Sequence, residues 1–187
     1  MDMYGELILD HSKRPVGAGL REGYATQVHH INPTCGDEVT LRVHLGATPT
    51  TQVEREVAPF PTDLSAKLRL DTPVERDIVG SETDLSAMLS DLSYDALGCS
   101  ISVASTSILA QECVGASIEE TLARYRHVHA MLTSRGTDAG DAEQIGDAVA
   151  LAGVSKYPAR VKCALLGWTA YLDALAQAGV DISGMRP

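Results

Sequence analysis

Four cysteines, Cys35, Cys99, Cys113 and Cys163, hold most of the chemistry this sequence could perform. Cysteines this few and this far apart serve in a reducing compartment as metal ligands, catalytic thiols or core residues, and seldom as disulfides. Cys35 stands in "NPTCGDEVTL", two residues before Asp37 and across Gly36. Glycine lets the backbone fold so that the side chains at 35 and 37 converge on one point. A soft thiolate beside a hard carboxylate is a donor pair that zinc accepts. The same residues also fit a plain turn in which Asp37 bonds backbone N–H groups, and the local sequence divides evenly between the two readings.

Cys99 follows Gly98 at the start of a helical stretch, where unpaired N–H groups and the helix dipole favour the thiolate. A small buried hydrophobe is the plainer role for such a cysteine. Cys113 lies fourteen residues further along the same helix, about 21 Å away at 1.5 Å per residue. That is too far to share a metal, so Cys113 reads as a packing residue. Cys163 lies early in the last helix with Arg160 one turn before it; a guanidinium beside a thiolate favours the charged form, which points to a wet, polar setting over a core one. Cys35, Cys99 and Cys163 with Asp37 would complete a four-coordinate zinc site. Its electron-rich metal would carry one exchangeable thiolate on a loop.

The elements that must position these groups follow from periodicity. Met3 to His11 has helical spacing, ended by Pro15 and the glycines at 17 and 19. Tyr24 to Ile31 and Glu38 to Leu45 read as strands flanking the turn, the second alternating Val39, Leu41, Val43 and Leu45. Gly46 to Ser93 is acidic and proline-rich and reads as an insertion at about 46–93 within a single domain spanning 1–187. "EREVAPF" and "AKLRL" read there as short strands, and "ETDLSAMLSDL" as a short helix capped by Ser81. Beyond Gly98 the chain is helical, with a Ser117–Glu120 capping box, a short helix around Glu143 to Leu151, and a last helix from Tyr157 to Ala178 begun by Pro158. Strands followed by helices predict an α+β fold, a small antiparallel sheet with helices on one face.

A net charge of −10 argues against nucleic acid and anionic membranes as partners. No run of about 18 apolar residues is present, so no membrane span is expected. The N-terminal residues alternate charge with apolar side chains, unlike a signal peptide, which predicts a cytoplasmic protein.

"YGELILDHSKRP", "NPTCGDEVTL", "GCSISVAS" and "GVSKYPARVKCALLGW" occur in an order that resembles the U-type iron–sulfur assembly proteins, specifically the SufU branch. The resemblance runs from Tyr4 to about Leu175 and implies a SufE/NifU-like fold. It implies one zinc held by Cys35, Asp37, Cys99 and Cys163, with Cys35 and Arg160 as the catalytic pair. The implied activity is that of a sulfurtransferase: a SufS-type PLP-dependent cysteine desulfurase gives persulfide sulfur to Cys35, a desulfurase histidine replacing that thiol on zinc. The sulfur then passes to downstream Suf scaffold components. Related IscU scaffolds carry a histidine just before the third cysteine, where this chain has Lys162. That favours zinc over the alternative cofactor, an iron–sulfur cluster built on a scaffold. The resemblance also implies a much shorter connection than Gly46 to Ser93.

Overall fold

The structure, a computed structural model, describes residues 3–46 and 85–184. Helix α1 spans Met3–Lys13, and strands β1 (Thr26–Asn32), β2 (Asp37–Gly46) and β3 (Met88–Leu97) form one antiparallel sheet in the order β1-β2-β3. Helices α2 (Ser100–Cys113), α3 (Ile118–Thr133) and the short α4 (Ala142–Ile145) follow, then a 3₁₀ segment over Gly146–Lys156 and α5 (Pro158–Gln177). This is the α+β fold expected from the strand-then-helix order.

The sheet is built around β2. Val39, Leu41 and Val43 are buried, while Glu38, Thr40 and Arg42 between them are only partly covered, the alternation of a strand with one core face. Helix α5 packs across β1 and β2, α2 lies beside it against β3, and α1 covers the outer side of α2. Asn32 and Asp37 form the last β1–β2 pair. The four residues between them are therefore the hairpin loop that carries Cys35.

One expected element is overturned. "ETDLSAMLSDL" does not form a helix: its described residues lead into β3, where Met88 begins a ten-residue strand paired with β2. Leu85, Met88, Leu89 and Leu92 have helical spacing, which is why the sequence misleads. The register shifts opposite His44/Leu45, so that His44 faces Asp91 and Leu45 faces Leu89, with Ser90 as the extra residue. That bulge turns Leu89 and Leu92 to the same buried side although they are three apart. Pairing along the open edge of β2 outweighs local propensity. Residues 88–93 therefore belong to the sheet and not to an insertion. The short strands expected in "EREVAPF" and "AKLRL" lie outside the described residues.

The helical half follows the sequence closely. Ser117 caps α3, its hydroxyl accepting the Glu120 N–H while the Glu120 carboxylate accepts the Ser117 N–H. Pro158 occupies the first turn of α5. The short helix expected around Glu143 is limited to Ala142–Ile145 and continues as 3₁₀ turns after Gly146, whose φ of 55° breaks the α-helix. Helix α2 is buried almost all round, and its small residues allow that. Ser105 donates to the Ala164 carbonyl at 2.6 Å and accepts the Trp168 indole N–H at 3.1 Å, joining α2 to α5 through the core.

Candidate metal centre

Three elements converge on the β1–β2 hairpin loop: the loop itself, the start of α2 and the first turns of α5. The loop is tight because the Asn32 carbonyl accepts the N–H groups of both Cys35 (3.3 Å) and Gly36 (2.8 Å). Gly36 has φ 74°, a left-handed conformation that suits glycine and brings Cys35 and Asp37 to one side. Asn32 Oδ1 accepts the Thr34 N–H at 3.0 Å, completing an Asx turn.

Asp37 begins β2 and is 4% exposed. Its Oδ1 accepts the Cys99 backbone N–H at 3.0 Å, where α2 begins. Its Oδ2 is buried and has no hydrogen-bond donor among the described residues. Burial raises the pKa of this carboxyl, but the facing thiols of Cys163 and Cys35 and the Cys99 N–H outweigh it, and Asp37 titrates below its ordinary value. A buried carboxylate oxygen with no well-formed hydrogen bond among the described residues is a costly arrangement that a cation would satisfy.

One ligand atom each from Cys35, Asp37 and Cys163 lies within 4.8 Å of the other two. The Cys35 and Cys163 sulfurs are 3.2 Å apart and both thiols are free. Ligands tetrahedrally placed at about 2.0–2.3 Å from a zinc ion stand roughly 3–4 Å from one another, so the grouping is of the right size. Cys99 lies outside this tightest trio. It is exposed, caps α2, and borders with Cys35 and Cys163 an open cavity of about 490 Å³ that Thr34, Ser100, Ile101, Ala159 and Arg160 also line. The donor set, thiols and one carboxylate around an unsatisfied oxygen, fits a zinc ion.

Two expectations about the thiols need refinement. Cys163 is 5% exposed rather than in a wet, polar setting. Burial, together with the neighbouring Cys35 thiol and Asp37 carboxylate, pushes its pKa upwards, so the metal-free side chain is held as a thiol. Arg160 borders the cavity, but its guanidinium lies 5.1 Å over the Tyr157 ring. Cys113 is fully buried at the far end of α2, as the helix length requires.

Sequence reasoning missed three residues here. Gly98 has no room for a side chain, since a Cβ there would stand 2.7 Å from Asp37 Cγ. Tyr157, 53% exposed, supports Arg160 at the cavity rim. Asn32 is 5% exposed and directs its Nδ2 at Cys163 Sγ, 3.8 Å away. The Asn-Pro pair before the cysteine signalled a turn, but nothing local pointed to a sulfur 131 positions along the chain.

The model of the NifU-like N-terminal domain matches residues 3–57 and 79–164, both sides of this centre. The chain belongs to that family. It is 31% identical over 175 residues to the zinc-dependent sulfurtransferase SufU of Bacillus subtilis strain 168, covering 94% of this chain and 90% of the relative. It is 30% identical over 174 residues to the iron–sulfur cluster assembly scaffold protein IscU of Streptococcus pyogenes serotype M1, covering 92% of this chain and 82% of the relative. Among solved structures, one of a protein described as a putative SUF-system scaffold from Fervidobacterium islandicum AW-1 superposes with a TM-score of 0.60 at 24% identity. That match covers 91% of this chain and 94% of the other, and it supports the fold. The family's residues resume at 79, which agrees with β3 being part of the common sheet. Among the described residues no helix is long and apolar enough to cross a membrane.

Proposed function

We propose that this member of the NifU-like family is a zinc-dependent sulfur acceptor in iron–sulfur cluster assembly. Its partner on this reading is a PLP-dependent cysteine desulfurase of the SufS type, and its product passes to downstream scaffold components in the cytoplasm. The observation that carries the reading is the Cys35, Asp37 and Cys163 group around a buried carboxylate oxygen that has no hydrogen-bond partner among the described residues. Cys99, which gives its N–H to Asp37 and borders the same cavity, supplies the fourth ligand. Bound zinc would keep the ligating thiols deprotonated at neutral pH.

The chain's own residues divide the work. Cys163 and Asp37, both buried, are the fixed ligands. Cys35 is exposed on a hairpin loop, where a partner can reach its side chain; Cys99, also exposed, sits at the head of a helix. In the transfer step the Cys35 thiolate attacks the terminal sulfur of the donor's persulfide. A new S–S bond forms on Cys35 as the donor's S–S bond breaks, and the electron pair leaves on the donor thiolate. No external oxidant or reductant is required. Arg160, at the cavity rim beside Tyr157, offers a positive charge to the incoming anionic persulfide. Residues 58–78, which the family model skips, are the extent we assign to the insertion.

The test is alanine release by a cognate desulfurase in the presence of wild type, Cys35→Ala and Asp37→Ala. Stimulation by wild type and its loss in both variants is expected; wild type without effect on turnover would remove the sulfur-acceptor role. The scaffold reading is kept because the relative from Streptococcus pyogenes carries that name, and thiolates serve iron as well as zinc. Anaerobically purified protein separates the two. A colourless zinc protein supports the acceptor, and a brown chromophore that transfers to an apo-ferredoxin supports the scaffold.

A further inference from the structure

Asn32 is a polar side chain 5% exposed at the last β1–β2 pair, directly across from Asp37. Its carboxamide has two faces with different demands. The Thr34 N–H can only donate, so the atom 3.0 Å from it must be the acceptor Oδ1. That fixes the amide orientation and leaves Nδ2, a donor, facing the Cys163 sulfur at 3.8 Å. At the same time the Asn32 backbone carbonyl holds the N–H groups of Cys35 and Gly36. One residue therefore binds the loop of the exposed thiol through its carbonyl and reaches the buried thiol through its side chain.

We propose that Asn32 is a positioning residue of the metal centre, setting the Cys35 loop with its oxygens while its Nδ2–H donates to the Cys163 sulfur and draws charge from that thiolate. The proposal rests on the zinc reading above. A hydrogen bond to a ligating sulfur lowers the electron density available to the metal and stabilises the thiolate in a buried setting. It also differentiates the two sulfurs. Cys163 is anchored by a neutral donor, while the Cys35 sulfur, on the loop, remains the one free to leave. Few side chains can replace it: aspartate keeps the acceptor and loses the donor, serine keeps an acceptor but cannot reach the sulfur, and alanine loses both. The simpler role, a turn residue only, requires the acceptor alone.

The experiment uses the full chain with cobalt(II) in place of spectroscopically silent zinc. The thiolate-to-cobalt charge-transfer band reports electron density on sulfur, which a purely structural role would not alter. In Asn32→Asp and Asn32→Ser the band is expected to move to longer wavelength, with cobalt affinity weaker by about 10–100-fold. The urea midpoint of the metal-free chain should stay close to wild type in Asn32→Ser, because the Thr34 N–H keeps an acceptor. The serine variant also carries the test if Asn32→Asp fails to fold. A wild-type band that neither variant shifts overturns the role of Asn32 alone. A wild-type chain with no such band overturns it together with the metal reading.

Discussion

Gly98 is the wall against which Asp37 rests: a Cβ at position 98 would stand 2.7 Å from Asp37 Cγ, 2.8 Å from Oδ1 and 2.9 Å from its Cβ. The contact includes the root of the Asp37 side chain, so rotation of the carboxylate alone could not relieve it. Gly98→Ala should therefore displace Asp37 from Cys35 and Cys163 and break its bond to the Cys99 N–H. Overpacking of this kind costs about 1–3 kcal/mol, while the loss at the metal centre should be larger in effect. The expected result is a folded protein that retains little zinc after gel filtration, measured by atomic emission alongside thermal unfolding. Zinc content equal to wild type would show that Asp37 is not held by this wall.

The exposed Arg21–Asp91 pair ties the loop after α1 to β3, with Nη2 and Oδ1 2.8 Å apart. The Arg21 hydrogen bond holds the Asp91 carboxyl below its ordinary 3.8, against the opposing effect of partial burial. A folded-state pKa below the unfolded value means the pair's stabilisation is complete above that ordinary value and is lost as pH falls through the lower, folded one. Both side chains are more than a third exposed or close to it, so solvent screening limits the gain to about 1 kcal/mol or less. Asp91→Asn should then be slightly less stable than wild type at pH 7 and indistinguishable from it once Asp91 is protonated. Urea unfolding at pH 7 and through a series of lower pH values checks both halves: the deficit should shrink as pH falls below 3.8. A deficit that does not change with pH would exclude an ionic contribution.

Much of this molecule was legible in its sequence, and the failures have physical causes. The alternation through Val39, Leu41 and Val43 gave β2, and Ser117 with Glu120 gave the start of α3. The length of α2 alone removed Cys113 from the site. The stretch leading into β3 failed because a bulge at Ser90 lets a helical spacing of leucines face one side of a strand. The pairing of Asn32 with Cys163 was invisible because it depends on how α5 lies across the sheet, a tertiary fact. The burial of Cys163 was not legible, because the arginine near it in sequence lies over Tyr157.

The four thiols should differ sharply in reactivity in the metal-free chain. Cys35 and Cys99 are exposed, and Cys163 is buried with its pKa raised by burial and by its Cys35 and Asp37 neighbours. Burial pushes Cys113 up to about 12, against the pull of the Arg124 guanidinium. For such a group the folded state holds its proton more tightly, so its stability contribution is complete below the unfolded thiol value and is lost as pH rises towards the folded one. Iodoacetamide at pH 8 should label Cys35 and Cys99 first, Cys163 slowly and Cys113 only after unfolding, as mapped by peptide mass spectrometry. Zinc should protect Cys35, Cys99 and Cys163 and leave Cys113 unchanged. Protection of Cys113 by zinc would contradict the site.

Gly167 sets the distance between the two helices that bring Cys99 and Cys163 together. A Cβ there would stand 2.4 Å from Thr106 Oγ1 and 3.0 Å from Thr106 Cβ and Cγ2, so α2 and α5 approach as closely as glycine allows. Thr106 cannot swing away freely, because it is fully buried and its hydroxyl donates to the Ser102 carbonyl at 2.9 Å. Gly167→Ala should wedge the helices apart, costing about 1–3 kcal/mol by overpacking. The displacement acts on Cys163, one helical turn earlier in α5, and on Cys99 at the head of α2. Zinc affinity should therefore fall together with stability. Thr106→Ala in the same chain removes Oγ1 and Cγ2 and should restore much of both. A double variant that recovers its melting temperature without recovering zinc affinity would show that helix spacing and the metal centre are independent; recovery of both ties them together through this one contact.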